Sequence, residues 1–185
     1  MSSAFPKTNK HSELIAATGI AGFFIALTLI VNYGVLSGNW RWDDPAILLH
    51  IHKFSIFDDF GKPEIWQQFS PANLTPWLSL SFEVDLILFG LRPELFYLHQ
   101  LVSLALVSIA LYLCLTLWVT KRLAFVGALF FSLSTPALLV AQQLMTRHYI
   151  EGAVFCLYRY TALSCFYELL NLIYYCVAAS SICWQ

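Results

Sequence analysis

Apolar residues run without a charge through residues 14–31, 95–119 and 123–145, and each stretch can cross a hydrocarbon core of roughly 30 Å, which takes about 20 residues of helix. A fourth apolar stretch, 152–185, is interrupted by Arg159 and Glu168. At that separation the two side chains project from opposite faces of a helix and cannot pair with each other. The pattern between the first two stretches is different. Residues 37–94 mix apolar positions with acids, prolines and tryptophans, including Trp40, Trp42, Pro45, Pro63, Trp66, Pro71, Pro76 and Pro93. Tryptophan favours the membrane interface, and proline is well placed at the first position of a helix. The pattern therefore predicts an all-α, polytopic membrane protein of about four transmembrane helices, with a long extracytoplasmic loop of short interfacial helices after the first.

The punctuation of the loop locates its helices. Asp44-Pro45, Ser70-Pro71 and Thr75-Pro76 each set a capping side chain before a proline, a common helix start. From Pro76 to Phe89 the chain reads as one helix, with Trp77, Leu80, Val84 and Leu88 on a common stripe and Gly90 as its stop. The segments are then a cytoplasmic N-terminus (1–13), a first span (14–36), the loop (37–94), further spans at 95–119 and 123–145, and a fourth at 152–185.

Composition and charge placement sharpen this picture. The chain is 59% hydrophobic and 11% charged, with mean hydropathy +0.68, where a soluble domain carries about a quarter charged residues. Lys7 and Lys10 precede the first span, and Lys121 and Arg122 make the turn between the second and third. The positive-inside rule puts both basic clusters in the cytoplasm, and residues 37–94 and the short 146–151 connection outside it. The first apolar run is too long for a typical cleaved signal and reads as a retained anchor. The loop holds eight acids against four bases, a net charge of −4, and no cysteine. Four of the five cysteines fall in the last thirty residues without metal-ligand spacing, so neither a disulfide scaffold nor a metal site is expected. No basic nucleic-acid patch and no phosphate-binding glycine loop is present.

Within the loop, Asp44 has a structural role as the cap before Pro45. Asp43 has none, and it stands beside Trp40 and Trp42 where the first span emerges, an environment suited to a general base. Glu83 and Asp85 lie about 200° apart around their helix, so at most one faces a common site. His50 and His52 diverge in the same way, which argues against a two-histidine metal clamp. His99 and Gln100, in the first turns of the second span, read as interhelical hydrogen-bonding groups.

The strings "WRWDDPAILLHI", "IWQQFSPANLTPWLSLSFEVDLILFGLRPELFYLHQLVSL" and "TRHYIEG", over roughly residues 14 to 152, resemble the N-terminal portion of GT-C fold glycosyltransferases. They are similar to bacterial members of the dolichyl-phosphate-mannose protein mannosyltransferase-like group. The resemblance implies transfer of a sugar from a polyprenyl-phosphate donor to an extracytoplasmic acceptor, in a bacterial inner membrane. In that family the first acid of the first-loop pair is the base, which here falls on Asp43, with Asp44 as the neighbouring acid. An anionic lipid-phosphate leaving group needs cations or a divalent metal. Arg147 and His148 are the candidates for that charge, with Arg92 as a further one and Glu83 or Asp85 as a substrate contact. The cofactor, the sugar and the acceptor are not specified by the sequence, and the alternative is a non-enzymatic membrane protein whose folded loop binds a partner or lipid. Family members are longer, and after Gly152 the chain becomes rich in tyrosine and cysteine. That change reads as a truncated or frame-shifted product, or as a divergent short protein.

Overall fold

A computed structural model describes residues 10–69 and 75–182, and every regular element among them is a helix. They are α1 (Lys10–Val31), α2 (Tyr33–Leu36), α3 (Asp44–Lys53), α4 (Ile56–Gly61), α5 (Pro63–Phe69), α6 (Thr75–Phe89), α7 (Pro93–Leu115), α8 (Lys121–Ser132), α9 (Thr135–Ala141) and α10 (Arg147–Ile182). A single 3-10 turn, Leu144–Thr146, leads into α10.

Among the described residues two helices are long and apolar enough to cross a membrane: α1, through Leu14–Val31, and α7. Half of the apolar window of α7 is buried inside the protein, against 11% of that of α1, so α7 is the central post and α1 lies at the periphery. Three core layers follow α7 downward. At its start Phe96 and Tyr97 pack with Val35, Ile47, Leu78, Phe82 and Leu144. In the middle Leu101, Leu104 and Val107 meet Ala137, Ala141 and Ile150. Near its end Tyr112 meets Phe24, Ala124 and Ala128. The alanines on α8 and α9 let backbones approach closely, the usual basis of helix association where lipid surrounds the bundle.

The third expected span differs from its expected form. Residues 123–145 do not form one helix, because α8 and α9 meet at a bend of 54° and make a third crossing only if counted as a pair. Pro136 has no N–H to continue the α8 ladder, and the Ser134 hydroxyl accepts from the Ala137 N–H to begin a new helix. The fourth expected span, 152–185, is helical through Ile182, and its side chains beyond Leu170 lie outside the described residues. The helix begins earlier, at Arg147, so the expected 146–151 connection is mostly helical. Arg147, Glu151 and Arg159 all lie in the first half of this helix. The helix nonetheless runs alongside α7 in the same direction: Arg147 meets Phe96, and Tyr160 to Leu170 line a cavity with Leu117 and Trp118. At that far end Ala16, Ala17 and Ile20 of α1 share another cavity with Lys121 and Arg122. The N-terminal half of α1 and the basic turn therefore lie at one end of the bundle.

The loop is folded, as its punctuation predicts. In α4 a capping box forms, with the Ser55 hydroxyl accepting from the Phe57 N–H and the Asp58 carboxylate accepting from the Ser55 N–H. Gly90 ends α6 in the left-handed region, φ +63°, which only glycine adopts without cost. Buried His50 and Asp59 join α3 to α4 across 2.8 Å. Two loop expectations shift. Asp44 is the first residue of α3, and Asp43 holds the cap position without a side-chain cap bond. The stripe Trp77, Leu80, Val84 and Leu88 is not the core face of α6, because Leu78, Ser81, Phe82 and Asp85 are buried instead. The Ser70-Pro71 start and the Thr75 and Glu168 side chains lie outside the described residues.

Candidate functional site

The chain leaves α2, passes Trp40, and reverses at Trp42, whose φ of +50° is unusual for a bulky side chain. The reversal turns the Arg41 N–H back onto Asp44, whose Oδ2 accepts it at 2.9 Å. The same oxygen accepts the Tyr97 hydroxyl of α7 at 3.2 Å. Asp44 is 1% exposed. Burial raises its pKa above the ordinary aspartate value, and the Arg41 and Tyr97 hydrogen bonds pull the other way. The Arg41 guanidinium lies over the Tyr97 ring, 5.4 Å from its centroid, and Trp40 packs edge-on against Phe96 at 5.0 Å. The first-loop acid pair is thus divided by its surroundings: Asp44 is a buried anchor and Asp43 is an exposed carboxylate beside it.

Behind this turn lies a second set of ionisable groups at the meeting of α6, α7 and α10. Arg147 is 0% exposed. Its Nη1 donates to Asp85 Oδ2 at 2.5 Å, its Nη2 to the Phe96 carbonyl at 2.8 Å and its Nε to Gln100 Oε1 at 3.3 Å. The guanidinium also faces the Phe82 and Phe96 rings. Gln100 in turn donates through Nε2 to the Val140 and Gln143 carbonyls at 2.9 and 3.1 Å, tying α7 to the turn that follows α9. On its other oxygen Asp85 meets His99 Nδ1 at 2.7 Å. Glu151, one turn after Arg147, accepts from Trp77 Nε1 and from the Ser81 hydroxyl.

The sequence candidates therefore separate. Asp43 and Asp44 share the loop turn. Asp85 and Arg147 are brought together as a buried pair, and Glu83 is turned away from it, half-buried on another face of α6. The Arg147 charge is committed to Asp85. His148 is 5% exposed, with its ring against that of Tyr149 at 3.9 Å between centroids. Arg92 is the exposed cation, its Nε donating to the Phe89 carbonyl at 3.0 Å. Tyr97 and Glu151 escaped the sequence reading. The signal for Glu151 was an acid at the edge of an apolar stretch, where ionisable groups commonly mark a site; Tyr97 gave none, since its partner is 53 positions away. Among the described residues no group of three or more acids, histidines or cysteines is arranged to hold a metal ion. No protein-family model, curated protein or solved structure matches the chain.

Proposed function

We propose that this chain is a multi-pass membrane glycosyltransferase, or the acceptor-activating part of one, which transfers a sugar from a polyprenyl-phosphate donor to an extracytoplasmic acceptor. The N-terminus and the Lys121-Arg122 turn lie in the cytoplasm of a bacterial inner membrane, and the α3–α6 loop faces the opposite side. Asp43 is the general base. It takes the proton of an acceptor hydroxyl as that oxygen bonds to the anomeric carbon, and the bond from that carbon to the phosphate oxygen breaks, releasing polyprenyl phosphate. The observation that carries this reading is the division of the acid pair, with Asp44 fixed by the Arg41 N–H and Tyr97 while the Asp43 carboxylate stands exposed. The left-handed Trp42 beside it adds weight, since such backbone is retained mostly where function requires it. Arg92 is the exposed cation available to the phosphate, with a divalent cation as the other source of positive charge.

The test is sugar transfer in membrane vesicles supplied with a polyprenyl-phosphate sugar. Asp43→Asn is expected to lower the rate by about 10²- to 10⁴-fold, the usual worth of a positioned base, with insertion and expression unchanged. Absence of transfer by the unaltered chain at high expression defeats the proposal. A second reading has its own support: Trp42, Leu49, Phe57 and Phe60 are 77%, 67%, 84% and 57% exposed on the loop. That apolar surface suits a loop whose work is to bind lipid or a partner without catalysis. In that case Asp43→Asn has no effect, and Phe57→Ser weakens the loop's association with vesicles.

A further inference from the structure

Between α6, α7 and α10 lies a cavity of about 460 Å³, within the usual size range of small-molecule sites. Its polar end is His99, Ser81 and Glu151, and apart from Ser103 its walls beyond them are apolar, running to Leu106, Val154 and Phe155. The protonation pattern at the polar end is constrained. Asp85, already paired with Arg147, offers only acceptor oxygens to His99 Nδ1, so Nδ1 carries a proton. In the neutral ring Nε2 is then an acceptor, and it faces Glu151 Oε1, a second acceptor, across 3.7 Å. That gap is too long for a direct hydrogen bond. The Asp85–Arg147 pair is internally compensated, whereas among the described residues no lysine or arginine lies within ion-pairing distance of Glu151.

We propose that the gap between His99 Nε2 and Glu151 is an amine-binding site, and that its occupant is a membrane lipid with a primary-amine headgroup whose hydrocarbon lies along the cavity toward Leu106. An ammonium carries several donors and one positive charge. It therefore satisfies both facing acceptors and balances Glu151 together. His99 lies six residues into α7, ~9 Å along its axis from Pro93, a depth that a headgroup reaches while its chain stays in hydrocarbon. The lip of the cavity is apolar and open, with Val84 42% and Phe155 59% exposed, so a chain enters from the side. A water-soluble amine lacks the chain that such walls require. The site is separate from the Asp43 turn and does not depend on the transferase reading.

The test uses the full chain in phosphatidylcholine vesicles, each doped with one photoreactive lipid bearing a diazirine on an acyl chain and a phosphatidylethanolamine, phosphatidylcholine or phosphatidylglycerol headgroup. Crosslinks are mapped by peptide mass spectrometry. The phosphatidylethanolamine probe is expected to label the cavity walls about tenfold more than the phosphatidylcholine probe, whose ammonium has no N–H to donate. Glu151→Gln, whose amide oxygen still accepts from Trp77 while its NH2 donates to the Ser81 hydroxyl, is expected to abolish that preference. Val154→Trp, which fills the cavity away from the polar end, is expected to abolish the labelling itself. It decides the matter if Glu151→Gln does not fold. Equal labelling by the first two probes overturns the proposal and leaves the gap to water. Preference for phosphatidylglycerol overturns it in favour of a protonated His99 holding an anion. Labelling unaltered in folded Glu151→Gln or Val154→Trp also overturns it.

Discussion

Arg147 shows how much one side chain can hold in place. Its planar fork reaches α6 through Asp85 and α7 through the Phe96 carbonyl and Gln100 at once, a geometry that a lysine ammonium cannot reproduce. Removing it strands the Asp85 charge at 1% exposure, and breaking a buried pair from one side costs about 3–5 kcal/mol. Arg147→Ala is therefore expected to lower stability in detergent by that amount. Arg147→Lys should recover only part, and Arg147→Met with Asp85→Leu should recover more than Arg147→Lys, because no charge is then left unpaired. Thermal unfolding of the three variants provides the comparison. Asp44 makes a different prediction. Burial raises its pKa, so the folded chain binds this proton more tightly than the unfolded chain does. Stability then rises as pH falls through the raised pKa, the gain is complete below the ordinary aspartate value of about 4, and at higher pH the folded state bears the cost of the buried charge. Relative to Asp44→Asn, which does not titrate, the unaltered chain should gain melting temperature between about pH 7 and about pH 4. A constant difference would show that Asp44 has no such shift.

Among the elements, α8 depends on being narrow. Ala124 and Ala128 are fully buried against α7, the Ser132 and Ser108 hydroxyls meet at 2.9 Å, and a Cβ on Gly127 would lie 3.0 Å from Leu115 Cδ1. Ala128→Leu is expected to cost about 1–3 kcal/mol by overpacking, while Gly127→Ala should cost less because only one flexible methyl must give. The two belong in the same unfolding series, and a larger loss in Gly127→Ala would argue against close packing at Ala128. At the end of α6 the cause is backbone conformation alone. Nothing lies within 4 Å of a Cβ on Gly90, but its φ is +63°, so Gly90→Ala should cost about 1–2 kcal/mol without any clash.

For the whole molecule, the placement of Ala16 and Ala17 beside Lys121 and Arg122 agrees with the positive-inside reading that both belong on one side. In a variant lacking its five cysteines, a membrane-impermeant thiol reagent should reach Thr120→Cys only from the cytoplasmic face. Phe57→Cys, 84% exposed in the wild-type phenylalanine, should react only from the opposite face. Reaction of both from the same side would rule out the proposed topology. The peripheral position of α1, with most of its apolar window uncovered by the protein, is compatible with a helix that crosses a membrane.

The sequence by itself determined the helical class, two apolar helices of spanning length and the folded character of the loop, because charge-free runs, prolines and cap residues act within a few positions of themselves. Gly90 is a local instruction of this kind, and so is the capping box of Ser55 and Asp58. The bend at Pro136 was written in the same local terms, but the apolar run masked it, since hydropathy counts side chains and ignores the missing N–H. Only the tertiary structure decided which face of α6 is buried, because polar and apolar residues are mixed around that helix, Ser79, Ser81 and Asp85 being buried while Ile87 and Leu88 are exposed, and periodicity cannot choose a side. It also decided that Arg147 meets Asp85 across 62 positions, and that Trp77 and Ser81 meet Glu151 across 74 and 70. Such pairings arise from α6 and α10 converging on α7, and no pattern within any one of these helices specifies its partners.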